Sequence, residues 1–286
     1  MPELPEVEVL SQYLARLLPG RRIQSVLVHR ERSVRPDSAE RFTETLTGKQ
    51  FVGVHRRAKY LIFELKGSKR MEHFLGHLGM TGRMFVARKR MALPKHAAVT
   101  MELDRGRLVF EDSRSFGRLS LQLDALTSLG PEPLSSEVDS RSFWRQLKRS
   151  RQAVKVRLLS SEVVVGVGNI YASESLFRAG IDPRTASHRI TLRQAERLLE
   201  AIRLTLKEAI AFGSSLLLDW SGSDRRDGLF YYGREEAGEH REERFNVYNR
   251  EGQPCRQCGR GIRRVIQAAR SSFYCPTCQQ RRSPCP

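Results

Sequence analysis

The chain opens Met-Pro-Glu-Leu-Pro-Glu-Val-Glu, and its second and third residues are of types that can carry out covalent chemistry together. With Met1 removed, Pro2 bears a free secondary amine, a nucleophile that can attack an electrophilic carbon such as C1′ of a sugar and leave a cationic, imine-type (iminium) intermediate. The carboxyl group of Glu3 can give or take a proton in such a reaction. The same pair also suits a helix start, where proline is favoured in the first turn and acidic side chains complement the dipole. These residues alone leave both readings open.

A second set of reactive side chains lies at the other end. Cys255-x-x-Cys258 and Cys275-x-x-Cys278 are separated by sixteen residues, the spacing of a four-cysteine zinc module. Four thiolates complete the tetrahedral shell of one Zn2+ and leave no open position, so the expected role is structural. Cys285 stands apart and is expected to be an inert tail thiol. From Tyr248 to Pro286 eight arginines accompany a single acidic residue, which makes this finger a basic surface suited to phosphate. A protein-docking ribbon is the alternative, and it accounts less well for the arginines.

The charge of the whole chain points the same way. Fifty Lys and Arg against 32 Asp and Glu give a formal +18, and most of the cations are arginine, whose planar fork matches phosphate oxygens. A polyanion is the expected partner, nucleic acid rather than an acidic membrane: there is no lipidation signal, and the first helix is not a basic interfacial anchor. No apolar run is long enough to span a bilayer. Glu3, Glu6 and Glu8 make the N-terminus acidic and unlike a secretory signal, so a cytoplasmic protein with reduced cysteines is expected.

The elements that must position these groups follow from apolar spacing. Val7, Leu10, Leu14, Leu17 and Leu18 recur at helical intervals, and Pro19-Gly20 closes the segment, which predicts a helix over 4–18. Between Ile23 and Leu123 the pattern changes to short alternating runs, among them 25–28, 60–65, 98–103 and 119–123, which predict an antiparallel sandwich or barrel. Gly130-Pro-Glu-Pro133 reads as a linker. Helical spacing returns over 143–147, 153–159, 170–178 and 192–212, and the polar stretch 221–244 reads as a long loop. The fold class is therefore α+β. At 286 residues the chain accommodates about two domains of roughly 100–200 residues each.

Taken together, several motifs resemble the formamidopyrimidine-DNA glycosylase family of base-excision repair. They are Pro2-Glu-Leu-Pro-Glu-Val-Glu8, Arg56-Arg-Ala-Lys-Tyr60, His77-Leu-Gly-Met80, Gly130-Pro-Glu-Pro133, Val164-Val-Gly-Val-Gly-Asn-Ile-Tyr-Ala-Ser-Glu174 and Arg270-Ser-Ser-Phe-Tyr-Cys275. The resemblance covers nearly the whole chain. It implies a catalytic β-sandwich domain over 1–132, a helix-two-turn-helix DNA-binding domain over 133–222, a base-capping loop region over 223–247 and a zinc finger over 248–286. The implied partner is damaged double-stranded DNA bound by a monomer.

The resemblance also assigns roles. It implies that Pro2 attacks C1′ of a damaged nucleoside, that Glu3 is the acid/base, and that Lys59 and Arg270 contact phosphate and assist successive β- and δ-elimination. Asn169 is implied to hold phosphate, and a glycine-rich turn before a helix N-terminus suits an anion. Arg149, Arg151 and Lys155 are expected to face DNA by charge, with a solvated helix face as the alternative; the resemblance makes His96 a further candidate DNA contact. An enzyme acting on a base within a duplex must extrude it and fill the gap, and the resemblance gives that task to Met80, Arg114 and Phe116.

Some positions depart from the family pattern. Ser113 and Ser115 stand where a proline and a second arginine are common, which predicts a looser wedge loop. Ala97 and Ala98 replace an Asp-His pair after His96. Leu4-Pro5 after Glu3 favours an enzyme for oxidised purines over a sister of the endonuclease VIII type directed at oxidised pyrimidines. A zinc-containing protein that binds damaged DNA without cutting it is a third possibility, but it has no need of a free N-terminal amine.

Overall fold

The structure, a computed structural model, describes residues 2–67, 70–214 and 245–280; Cys285 and the loop expected over 221–244 lie outside them. The chain divides into two compact units. One is built on Met1–Ser128 with the end of the last long helix from Ile210, the other on Leu129–Ala209 with the described residues 245–280.

In the first unit, helix α1 (Leu4–Leu17) is followed by β1 (Ile23–Val28), α2 (Ala39–Leu46) and strands β2 (Gln50–Arg57), β3 (Tyr60–Lys66), β4 (Met71–His77), β5 (Arg83–Ala87), β6 (Ala97–Leu103), β7 (Arg107–Glu111) and β8 (Arg118–Ser120). They form two four-stranded antiparallel sheets, ordered β2-β3-β4-β8 and β1-β6-β7-β5. This is the sandwich that the alternating runs predict. One apolar core joins Leu61, Phe63 and Phe74 of the first sheet, Met101, Leu108 and Phe110 of the second, Leu10 and Leu14 of α1, and Phe42 of α2. Cross-strand partners Phe63 and Phe74 stack with ring centroids 4.3 Å apart.

Two differences from the sequence reading have clear causes. Helix α2 was not among the expected elements; it begins at Ser38, whose hydroxyl accepts from the Arg41 N–H, and buries only Phe42 and Leu46. The strand expected over 119–123 ends at Ser120, because the Leu121 N–H and the Ser120 hydroxyl both donate to Asp37 Oδ2 instead of continuing the ladder.

The second unit contains α3 (Ser140–Lys148), α4 (Val154–Leu159), α5 (Asn169–Arg178), most of α6 (Leu192–Ser214) and the finger hairpin β9 (Arg263–Gln267) and β10 (Arg270–Tyr274). Asp139 caps α3 through its carboxylate. The Gly130–Pro133 stretch, expected to be a linker, is packed. Gly130 N–H donates to Ser161 O, Pro131 O accepts from Val165, and the Arg203 guanidinium of α6 donates to the carbonyls of Pro133, Ser135 and Val138. Its prolines break periodicity, but the Pro133 carbonyl is captured by Arg203 of α6 and the Pro131 carbonyl by the Val165 N–H.

The aromatic centre of the first unit generates a direct expectation. Phe74→Ala removes a fully buried ring and should cost about 3–5 kcal/mol, read as faster hydrogen exchange at β3 and β4 amides while α3–α5 keep their protection.

Candidate active site and nucleic-acid interface

Pro2 is partly exposed and lies immediately before Glu3, the N-cap residue of α1. A reciprocal capping box holds this end. The Glu3 side chain accepts from the Glu6 backbone, and Glu3 N–H donates to Glu6 Oε2 at 2.7 Å. Glu3 is 1% exposed, so the carboxyl group beside Pro2 has little rotameric freedom. The helix is tied to the next expected site residue by Arg56, which donates to Glu8 Oε2 of α1 at 2.6 Å and to Ala58 O at 3.0 Å. Ala58 and Lys59 form the two-residue turn between β2 and β3, with Ala58 at φ 54°.

The three expected wedge residues sit on adjoining turns. Met80 and Phe116 are 42% and 43% exposed, and the Arg114 guanidinium lies 4.9 Å from the Phe116 ring centroid. Gly79 makes this possible. Its φ is +61°, and a Cβ there would fall 2.6 Å from Gly117 N and the Phe116 carbonyl carbon. Asp112, fully buried, ties the two turns together: Oδ1 accepts from the Thr81 hydroxyl and Arg114 N–H, and Oδ2 accepts from Gly117 N–H. The loop is therefore well anchored despite Ser113 and Ser115.

Two imidazoles border this region. His77 Nδ1 accepts from Gly79 N–H, which places the proton of the neutral ring on Nε2. Burial, then the positive charges of Lys59 and Arg118, lower its pKa, so it is neutral at pH 7. His96, expected as a DNA contact, has Nδ1 3.2 Å from Arg30 Nη2. A guanidinium only donates, so this nitrogen accepts and Nε2 carries the proton. The spacing-based reading of residue roles passed over His77, although it stands within the His-Leu-Gly-Met motif.

In the second unit Lys155, expected to face DNA, is 1% exposed. Its ammonium donates to Asn169 Oδ1 at 2.7 Å, Ser271 O at 2.9 Å and Ser272 Oγ at 3.0 Å. The expected cation is thus a buried tie between the start of α5 and the finger hairpin. Because an ammonium takes only acceptors, Asn169 turns its oxygen inward and keeps its amide NH2 for donation elsewhere. Arg149 and Arg151 are exposed. Arg270, also exposed, opens β10 directly after Ala268 and Ala269, whose φ values of 46° and 57° mark a primed hairpin turn.

The four cysteine sulfurs lie within 4.8 Å of one another, with Cys255 to Cys278 at 3.8 Å and Cys258 to Cys275 at 3.4 Å. Zn–S bonds of about 2.3 Å place sulfurs roughly 3.8 Å apart, so the set fits one tetrahedral zinc. A backbone N–H of Arg260 is the main cause holding the Cys258 thiol down, to about 7, whereas burial pushes Cys275 and Cys278 up. The finger packs Val247, Ile262 and Phe273 against Phe177 of α5. Glu174 of α5, buried and not expected as a functional residue, accepts from the backbone N–H groups of Asn246, Val247 and Tyr248 and docks the chain entering the finger.

Family models match the chain in three consecutive parts: the formamidopyrimidine-DNA glycosylase N-terminal domain over residues 1–119, the H2TH domain of the same enzymes over 129–219, and a zinc finger found in FPG and IleRS over 252–281. The chain belongs to the formamidopyrimidine-DNA glycosylase family. It is 41% identical to the formamidopyrimidine-DNA glycosylase of Burkholderia thailandensis and 35% identical to that of Desulfitobacterium hafniense, in each case over 98% of this chain and all of the relative. Among solved structures, the Lactococcus lactis glycosylase bound to DNA containing an AP site is 30% identical, with a TM-score of 0.83. The Lactococcus lactis protein in complex with FAPY-dG-containing DNA is 31% identical, also at 0.83; each alignment covers 98% of this chain and all of the other.

Of the residues expected to act, Pro2, Glu3, Lys59, Met80, Arg114 and Phe116 fall in the N-terminal match, Lys155 and Asn169 in the H2TH match, and Arg270 with the four cysteines in the zinc-finger match. The buried ammonium generates a prediction. Lys155→Met strands the acceptors on Asn169 and Ser271 and should cost about 3 kcal/mol, measured as a lowered thermal midpoint of the zinc-loaded protein.

Proposed function

We propose that this protein is a bifunctional DNA glycosylase and AP lyase of base-excision repair that removes oxidised purines, 8-oxoguanine and formamidopyrimidines, from duplex DNA. The observation that carries the reading is Pro2 at the capped start of α1 beside a buried Glu3 carboxyl. A secondary amine there attacks C1′ of an extruded nucleotide; the N-glycosidic bond breaks, and the base departs with the bonding electrons and a proton. Glu3 protonates the ring oxygen as the sugar opens to a cationic iminium, the Schiff base of C1′ with the Pro2 nitrogen. Loss of a C2′ proton then expels the 3′ phosphate from C3′, loss of the C4′ proton expels the 5′ phosphate from C5′, and hydrolysis of the iminium by water frees Pro2.

The remaining residues position DNA. Lys59, on the tight turn anchored by Arg56, and Arg270, on the finger turn, supply cations for the departing phosphates. His77 and His96 present Nε2–H donors, and Asn169 presents its amide NH2 at the start of α5, where the helix dipole also favours an anion. Lys155 acts through Asn169 and the hairpin, and Arg149 and Arg151 supply screened charge to the backbone. Met80, Arg114 and Phe116 fill the space the nucleotide vacates, with Arg114 toward the orphaned base. Arginine donates bidentately, which suits cytosine O2 and N3. One zinc on Cys255, Cys258, Cys275 and Cys278 keeps the finger folded and takes no part in the chemistry. The enzyme acts as a monomer.

Borohydride reduction tests this reading. Metal-replete protein lacking Met1 should form a reducible adduct, and nick the strand, on duplexes bearing 8-oxoguanine, a formamidopyrimidine or an abasic site. An adduct on thymine glycol alone would move the assignment to oxidised pyrimidines, and no adduct or nick on any of them would overturn the enzyme reading. Pro2→Gly should bind the same DNA and lose most of the adduct. Arg149→Ala should reduce the slope of log K against log salt by about 1, whereas the buried charge of Lys155 leaves the slope of Lys155→Met unchanged.

A further inference from the structure

The wedge loop Asp112–Gly117 is gripped from outside by a side chain that belongs to neither of the two wedge turns. Arg30 follows β1, and its backbone N–H donates to Ala98 O in β6. Its guanidinium reaches across to donate to Asp112 O at 2.7 Å and Ser115 Oγ at 3.0 Å through Nη1, and to His96 Nδ1 at 3.2 Å through Nη2. One planar fork therefore joins the base of the loop, its tip, and the imidazole in front of β6.

The tip needs such a grip. Ser115 has φ +54°, a left-handed conformation that a residue with a Cβ keeps only when its surroundings over-determine it. Two arginines do so: Arg30 through the hydroxyl, and Arg118 through the Ser115 carbonyl at 3.2 Å and the Gly117 carbonyl at 2.9 Å. The left-handed residue lies between Arg114 and Phe116, so its conformation sets the angle at which the exposed guanidinium stacks over the exposed ring. The same fork dictates that His96 offers Nε2–H and not Nδ1–H.

We propose that Arg30, acting through Ser115, is a positioning residue that couples the Arg114–Phe116 wedge to the phosphate-facing tautomer of His96, so that insertion of the wedge and capture of the backbone occur as one step. Arg30 touches neither the reacting atoms nor the orphaned base in this scheme. It governs how strictly Arg114 judges the base opposite the lesion. The inference rests on the wedge assignment made above.

The test uses full-length, zinc-loaded protein and two duplexes facing cytosine or adenine: one with a tetrahydrofuran site and 2-aminopurine beside the orphaned base to report unstacking, the other with 8-oxoguanine to report excision. Arg30→Ala and Ser115→Ala should each lower the fluorescence rise on binding. For Arg30→Ala, losing hydrogen bonds from a charged donor should reduce the cytosine-over-adenine preference in excision about tenfold. The fall should appear in kcat, with KM for DNA little changed, and adduct formation at a preformed abasic site should persist. Arg30→Lys keeps the charge without the fork, so it should fold like the parent and still lack the discrimination. If Arg30→Lys matches the parent, the residue supplies charge alone and the proposal fails; it fails equally if Ser115→Ala leaves fluorescence and discrimination intact. Failure of the parent protein to trap DNA would instead strike the active-site reading itself.

Discussion

The capping box at the start of α1 is the constraint on which the rest of the site depends. A nucleophile at a chain terminus is ordinarily the most mobile group in a protein. Here the adjoining residue is locked by two reciprocal side-chain-to-backbone bonds between Glu3 and Glu6. Val7, Leu10 and Leu14 then fasten the helix into the sandwich core, and Arg56 fastens Glu8 to the turn carrying Lys59. In the proposed mechanism the helix start is also the catalytic start. On that reading the two roles open to the first residues are not rivals, because the capping that starts the helix also fixes Glu3 beside Pro2.

A buried charged side chain also backs three other short segments. A buried ion sits behind each one and satisfies its backbone: Asp112 behind the Arg114–Phe116 loop, Lys155 behind Asn169 and the finger hairpin, Glu174 behind the chain entering the finger. Each ion is surrounded by several partners of the opposite hydrogen-bonding sense, which is the condition under which burying a charge is tolerable. This explains how the wedge loop remains anchored with serine at positions 113 and 115.

Much of this was legible in the sequence. Apolar periodicity located α1 and α3–α6 because those helices bury regular stripes, and the paired Cys-x-x-Cys spacing foretold a sulfur cluster because two tight turns can meet around one ion. Helix α2 was harder to see, since Phe42 and Leu46 are its only buried residues and the Ser38 cap is a weak signal alone. Lys155 misled for a different reason. Charge predicts exposure on average, and nothing local shows that Asn169, Ser271 and Ser272 converge on its ammonium. Arg30 and Ser115 are 85 residues apart in the chain, a contact that no periodicity or motif can reveal. The packed Gly130–Pro133 stretch was likewise invisible until Arg203 placed its guanidinium against it.

The central claim is that the N-terminal proline nitrogen, and no lysine, bonds to the sugar. Peptide mapping of the borohydride-reduced protein–DNA adduct by mass spectrometry tests it most directly. The account predicts that the sugar remnant is found on a peptide beginning at Pro2, with the mass on its nitrogen and with Met1 absent. A remnant on Lys59, or on any other lysine, would contradict it.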